Sequence, residues 1–584
     1  MLGSPNLDRF TARIPLWAVI VLSLVCVVLG VALTFRPFRS AEVLILLVGL
    51  IAIVTGTLML VSTDERSAYR RLFGVVWILL GSVVLVWPNL GVEALAILVG
   101  VVLVVNGAID IVKAITGRLD EPVADFIGGG SSCIFGVLAL AWPDLTIFVV
   151  AVLFGARTVL FGLTQLFSSI QHWRNAGQTP PTPTPASRGR LRLGFKVVTR
   201  IGALIIAVAL LALSVTFRSE FDEVSAFYDT PDEIPDTPGV LLRTETLDRE
   251  LPENSEGWLI LYSTTSSLGE PAVGSAFVLA SADRPPEPRP AVLWTHGTAG
   301  IERQCAPSMF DDVTSGIPAV PELLENGWVL VASDYFGMGT EGNTPFLIGT
   351  GQAHSSLDAL RAAYQLSDVS LAEQAVVRGH SQGGHAALWT GLLAEDYAPD
   401  LAIDGVSAIA PVTDPVSLVQ SIEHSAGGSI LVSLGLTAYS NTYDDVSFDE
   451  NVRPGAHEMV REAAQRCVPS SSLLASVIAG SGGDSILATD VSSSRFGDRL
   501  RENTPSADMR FPLLVAAGDA DEIISIAITE SWVADQCAAG YDLDFRAYPG
   551  FTHLSVLEEP SAMPGELIAW TEDRFGGVPA SSTC

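Results

Sequence analysis

Basic residues are scarce in this chain: 584 residues carry 33 Lys and Arg against 64 Asp and Glu, a formal net charge of −31. The shortage is uneven. Residues 1–200 hold 16 basic and 10 acidic residues, which leaves 17 against 54 in the remainder, a net of −37. So acidic a C-terminal part repels nucleic acid and anionic headgroups and argues against an anionic substrate. There are only six cysteines and eight histidines, and nowhere a paired His/Glu or Cys/His spacing that would hold a metal. Gly128-Gly129-Gly130 opens an apolar run and is not a phosphate loop. No metal, cofactor or nucleic-acid partner is expected.

Long apolar runs are what the first third has in abundance. They recur at Ile14 to Phe35, Ala41 to Val61, Leu72 to Trp87, Leu90 to Val112, Phe126 to Trp142 and Leu145 to Ile170, each near or above the roughly 17–25 residues that cross hydrocarbon. Hydrophobic segments follow the first one repeatedly, so it is not a cleavable signal. Gly30, Pro37, Gly49 and Gly56 reappear at Gly81, Pro88, Gly100 and Gly107, shifted by 51, and again at Gly136, Pro143, Gly155 and Gly162, shifted by a further 55. The six runs are therefore three copies of a helical hairpin. Paired glycines seven apart lie near one helix face and let neighbouring helices approach, while Trp87-Pro88 and Trp142-Pro143 mark short outer turns with tryptophan at headgroup depth. In these features residues 14–170 resemble the acid-resistance membrane protein family of short repeats, a resemblance that carries no catalytic residues.

Basic residues orient the spans. Arg9 and Arg13, then Arg66, Arg70 and Arg71, then Lys113 and Arg118, then Arg174, Arg188, Arg190, Arg192, Lys196 and Arg200 all fall on one side, against Arg36 and Arg39 on the other. The positive-inside rule places that side in the cytoplasm. The expected organisation is a six-span membrane domain at 1–172, a cytoplasmic linker at 173–200 stiffened by alternating Thr and Pro from Thr179 to Pro185, a seventh span at 201–217 and an extracytoplasmic domain at 218–584. Arg157 sits near the middle of the sixth span, where its repeat counterparts are Val102 and Ile51. It is either functional or hydrogen-bonded to helix carbonyls inside the bundle.

Beyond the spans, Ala375-Val376-Val377 runs into Gly379-His380-Ser381-Gln382-Gly383. Glycine two residues either side of a serine suits a strand-to-helix turn that pushes the hydroxyl into the open, although an ordinary glycine-rich turn has the same composition. A nucleophile in this kind of fold is followed first by an acid and then by the base. Of the histidines downstream, His385 is on the elbow helix, while His424 and His457 precede any plausible acid strand. His553 remains, in a Pro/Gly-rich loop after the strand-like Leu543 to Tyr548. The apolar run Phe511 to Ala517 empties into Gly518-Asp519-Ala520-Asp521-Glu522, where Asp521 fits the usual spacing and Asp519 is the alternative. The oxyanion needs backbone donors: the Gln382 amide is one candidate, and the Thr298 amide, after the strand-like Ala291 to Thr295, is the other. His296 precedes the nucleophile and is read as bracing that loop.

Taken with Gln304-Cys305-Ala306-Pro307-Ser308 and Asp334-Tyr335-Phe336-Gly337-Met338-Gly339, these motifs make residues 255–560 resemble the secretory lipase family of α/β-hydrolases. The resemblance implies hydrolysis of acyl esters through an acyl-serine, with an acyl ester or lipid as substrate and a helical cap at about 412–510. His380 stands where the family commonly has tyrosine, a departure expected to touch the pocket lining more than the chemistry. Cys26 and Cys133 lie in spans, and the four remaining cysteines allow three connectivities in an oxidising compartment. The resemblance favours Cys305 with Cys467, which leaves Cys537 with Cys584. An acyltransferase or peptidase would use the same triad, and an inert membrane sensor or scaffold is the reading of a different class.

Overall fold

The computed structural model describes residues 16–61, 68–116, 122–174, 189–218, 223–283, 287–468, 470, 472–481 and 483–584. The Thr179 to Pro185 stretch and Arg9, Arg13, Arg66, Arg118 and Arg188 lie outside them. The chain divides into two compact units, one built on the N-terminal helices together with Val452–Met459 and Ala475–Ile486, and one on a C-terminal sheet.

Among the described residues the N-terminal part of the first has seven helices: α1 (Leu16–Thr34), α2 (Pro37–Val61), α3 (Ala68–Val86), α4 (Pro88–Ile115), α5 (Pro122–Ala141), α6 (Pro143–Arg174) and α7 (Gly189–Arg218). Pro37, Pro88 and Pro143 each open a helix, where the missing N–H costs nothing because that donor has no intrahelical partner. Five of the helices are long and apolar enough to cross a membrane, within α2, α4, α5, α6 and α7, and shorter apolar stretches occupy α1 and α3.

The repeat glycines join successive copies. A Cβ at Gly56 would strike Gly74 O, one at Gly81 would strike Gly49 O, and the same holds for Gly107 against Gly129 O and Gly136 against Gly100 O. α6 closes back on α1, where Gly30 faces Gly155 O and Gly162 faces Ser23 O. Ser23, Gly74 and Gly129 are equivalent under the same shifts of 51 and 55, so three like interfaces, α2 with α3, α4 with α5 and α6 with α1, form a pseudo-threefold ring. Ala41, Ile45, Ala96, Ile147 and Ala151 cluster at its centre, and Ile45, Ala96 and Ala151 are again repeat equivalents.

Three sequence expectations change here. α7 begins at Gly189, so Arg190, Arg192 and Lys196, expected in a linker, lie within the helix. It packs on the third copy, with an Arg200–Asp125 ion pair and a Trp142 Nε1–H donated to Ser214 Oγ at 2.7 Å. Trp142 is consequently buried, covered by a helix where lipid headgroups were expected. Arg157 faces outward from the bundle, because the ring places the inward positions of α6 elsewhere.

The second unit is a nine-stranded sheet with β1 (Leu241–Thr246), β2 (Ser255–Thr265), β3 (Pro271–Ser281), β4 (Arg289–Thr295), β5 (Val329–Ser333), β6 (Leu371–His380), β7 (Ala402–Ile409), β8 (Leu513–Gly518) and β9 (Asp544–Tyr548). Their order is β1-β2-β3-β5-β4-β6-β7-β8-β9, antiparallel from β1 to β5 and parallel from β5 onward. The helices are α8 (Val320–Glu325), α9 (Gly349–Ala363), α10 (Gln382–Tyr397), a cap of α11 (Pro415–Ile422), α12 (Ala426–Thr442), α13 (Phe448–Asn451), α14 (His457–Ala464), α15 (Leu473–Gly480) and α16 (Arg495–Glu502), then α17 (Ile526–Ala539) and α18 (Met563–Phe575). These cap helices occupy the connection from β7 to β8, of which Val452–Met459 and Ala475–Ile486 group with the first unit. Leu293, Val377 and Val406 pack with Leu357 of α9, Leu388 of α10 and Trp532 of α17 on one face; Val376, Ile409 and Leu514 pack with Leu567 and Trp570 of α18 on the other. Burial on both faces explains why the parallel strands read as continuous apolar runs.

Candidate active site

β6 ends at His380 and α10 starts at Gln382, so Ser381 alone makes the turn. Its backbone has φ 60° and ψ −121°, a sparsely populated conformation for a residue with a side chain. The turn survives because its neighbours hold it. Ser381 N–H donates to Ile409 O at 2.9 Å, and Thr295 Oγ1 donates to Gly383 O at 2.7 Å. No Cβ fits at the flanking glycines. One at Gly379 would run into Gly383 O and Thr295 Oγ1, and one at Gly383 into Thr295 O. Gly383→Ala is therefore expected to destabilise the chain by about 1–3 kcal/mol or more, read as a lower unfolding midpoint of the full-length protein in detergent.

Parallel register brings the other two groups to the same edge of the sheet. Asp521 lies just past β8 and His553 just past β9. His553 Nε2 is 2.9 Å from Ser381 Oγ, and His553 Nδ1 is 2.7 Å from Asp521 Oδ2. The Asp521 side chain is fully enclosed, and its Oδ1 accepts from Ile523 N–H at 2.9 Å and Ile524 N–H at 2.8 Å. A carboxylate so fixed accepts from Nδ1–H, which leaves Nε2 to accept the serine proton. Asp519, the alternative candidate, is turned away: its Oδ1 accepts from Gly550 N–H at 2.5 Å and so ties the His553 loop to β8.

The Thr298 loop passes beside Ser381, since a Cβ on Gly297 would lie 3.3 Å from His380 O and 3.8 Å from Ser381 Cβ. Thr298 itself is half-buried. Gln382 is the first residue of α10, so its amide is one of the helix donors without an intrahelical acceptor. The loop is braced from behind. Tyr335 Oη–H donates to His296 O at 3.1 Å, with its ring 4.3 Å from the His296 ring, and Val468 N–H donates to Ala299 O at 2.9 Å. His296 ring nitrogens lie 2.6 Å from Gly297 O and 3.2 Å from Asp334 O, and burial lowers its pKa to about 4, which makes it a brace and a poor base.

Asp334 opens the Asp334 to Gly339 segment that follows β5. It is fully enclosed, accepts from Ser275 Oγ at 2.7 Å, Ser308 Oγ at 2.6 Å and Ser308 N–H at 2.9 Å, and burial pushes its pKa up to about 6. Nothing in the spacing foretold this network, because Ser275 and Ser308 come from distant segments. Cys305 bonds Cys467, and Cys537 bonds Cys584. The first link joins the segment after the Thr298 loop to the cap across 162 residues, restricting the unfolded chain by about 5 kcal/mol in the loop-entropy account.

A strained serine between a parallel strand and a helix, followed in order by an enclosed aspartate and a loop histidine, on a sheet with a helical insertion after β7, defines an α/β-hydrolase. Residues 313–583 match the family model described as secretory lipase, and residues 21–71, 72–129 and 127–180 each match a short repeat of unknown function. Both resemblances drawn from the motifs thus stand, although the lipase match begins downstream of the Thr298 loop. The secreted triacylglycerol lipase LIP5 of Malassezia furfur is 25% identical over 267 residues, spanning 44% of this chain and 68% of its own length. The secreted triacylglycerol lipase LIP2 of Malassezia globosa is 25% identical over 421 residues, 68% of this chain and 90% of its own. The closed state of Candida antarctica lipase A shares the fold, with a TM-score of 0.53 and 19% identity over 63% of this chain and 89% of that one.

Proposed function

We propose that this protein is a membrane-tethered serine esterase or lipase that hydrolyses carboxylic esters through an acyl-serine. The observation that carries the reading is the unbroken line of hydrogen bonds from Ser381 Oγ through the His553 ring to the enclosed Asp521 carboxylate. In it Ser381 attacks the ester carbonyl while His553 Nε2 takes its proton. Asp521 holds the ring in the tautomer that can do so and stabilises the imidazolium. The Gln382 and Thr298 amides hold the oxyanion; losing one such donor costs about 100- to 1000-fold in rate. His553 then protonates the leaving alcohol, and water attacks the acyl group by the reverse route.

The domain plan is a membrane part at 1–172, a connecting segment at 173–200 that passes into the seventh helix, that helix through 217, and the hydrolase at 218–584 on the extracytoplasmic side. The bias of Arg and Lys supports the orientation, and two disulfides suit an oxidising compartment. The substrate is a neutral acyl ester or lipid, in keeping with the acidic hydrolase surface and with the triacylglycerol lipases among the relatives. The test uses full-length protein in detergent on p-nitrophenyl esters of graded chain length, with fluorophosphonate labelling of Ser381. Turnover of at least one ester together with labelling at Ser381 is expected; a chain that does neither is not an esterase.

A further inference from the structure

His380, between Gly379 and the nucleophile, ends β6 with its ring enclosed, and burial brings its pKa down to about 3. The ring is neutral. Its Nε2 lies 2.9 Å from His553 O, and a neutral imidazole nitrogen facing a carbonyl donates its hydrogen. The two rings are 4.6 Å apart at their centroids and tilted by 44°. On the other side of the same residue, His553 N–H donates to Glu522 Oε2 at 3.3 Å. Both peptide groups flanking the base are thus held by side chains, one from the nucleophile strand and one from the acid loop. The loop needs such support, because it leaves β9 through Gly550 at φ 81° and no strand or helix contains His553. The ring nitrogens of His296 and His385 are engaged with Gly297, Asp334, Gln352 and Asn503.

We propose that His380 is a positioning residue for the base: its Nε2–H anchors the His553 carbonyl, locking the loop so that the His553 ring keeps both its Asp521 and its Ser381 hydrogen bonds. This rests on the esterase reading. It also replaces the expectation that the histidine at this position concerns the pocket lining. Through one hydrogen bond the elbow and the base loop become a single rigid piece, and a displacement of about 1 Å at such a site costs on the order of 100-fold in rate. Neutrality belongs to the role. During acyl transfer the His553 ring is a cation, and a second charge stacked on it would oppose that step.

The test compares wild type, His380→Phe and His380→Gln as full-length protein in detergent, with p-nitrophenyl butyrate as substrate and rates normalised to the Ser381 sites that take up fluorophosphonate. His380→Phe keeps a ring and loses the donor; it is expected to lower kcat per labelled site by about 10- to 100-fold with KM nearly unchanged. The acid limb of its pH profile moves to lower pH, because a loosened Asp521 contact stabilises the imidazolium less. Gln can donate to the same carbonyl, so His380→Gln recovers most of the rate. The inference is overturned by an unchanged kcat and acid limb in His380→Phe, or by a His380→Gln no better than His380→Phe. A wild-type chain that neither turns over ester nor takes up the label overturns the esterase reading, and this one with it.

Discussion

Ser381→Ala is expected to lower ester turnover by about 10⁴- to 10⁶-fold and to abolish fluorophosphonate labelling, while the unfolding midpoint stays close to wild type. The size follows from a triad acting as a unit: without a nucleophile, only the oxyanion donors and substrate binding remain to accelerate the reaction. The fold is spared for a specific reason. Ser381 makes its structural hydrogen bonds through its backbone, as a donor to Ile409 O and as an acceptor from His385 N–H at 3.1 Å, and alanine keeps both. Alanine must adopt the same φ of 60°, which serine already adopts. A variant that retains more than a hundredth of the wild-type rate would remove Ser381 from the chemistry. The same pair of proteins also separates an esterase from an inert membrane sensor, whose wild type would match the variant.

Asp521→Asn carries the second large effect, about 10⁴-fold on kcat, with Asp519→Asn as its control. The two oxygens of Asp521 have different partners. Oδ1 accepts two backbone hydrogens, from Ile523 and Ile524, and Oδ2 faces His553 Nδ1. An asparagine there keeps its oxygen on the two backbone donors, so its NH₂ faces His553. The ring must then accept at Nδ1 and carry its hydrogen on Nε2, the nitrogen that has to take the serine proton. This wrong tautomer leaves geometry intact and removes the base. Asp519→Asn loses a charge but retains an acceptor for Gly550 N–H, and is expected to change kcat by less than about tenfold, since a loop contact to a neutral acceptor is weaker than one to a carboxylate. Equal losses in both variants, measured by kcat on a p-nitrophenyl ester, would mean that the acid is not Asp521 alone.

The two aspartates also mark where the sequence stopped discriminating. Asp519 and Asp521 are two residues apart in one polar loop, and composition treats them alike. What separates them is that the loop turns between them, enclosing one carboxylate beside His553 and leaving the other on Gly550. The elbow was legible because its demand is local: a serine at positive φ between a strand and a helix needs missing Cβ atoms at fixed offsets, and Gly379 and Gly383 show it. His553 was legible through the shortage of histidine, since chain order left one loop candidate. The repeat was legible from four marker residues in each of three copies.

Contacts between distant segments were not legible. Glycine spacing announced close helix packing without saying that each copy gives its second helix to the next, with α6 returning to α1. Trp142 carried the composition of a headgroup residue, and the helix that carries Ser214, 72 residues later, buries it. The charge on Arg157 was visible, its outward face was not. His380 looked like a substitution in a pocket wall until parallel strand order set β6 beside β7 and brought the loop after β9 over its ring. By itself the sequence determined the local requirements, namely which backbone turns need glycine, which runs are apolar enough for lipid, and which residues are candidates for nucleophile, acid and base. Only the tertiary structure decided which of those groups meet, because hydrogen-bond geometry is set by strand order and loop closure, and neither leaves a periodic trace in the chain.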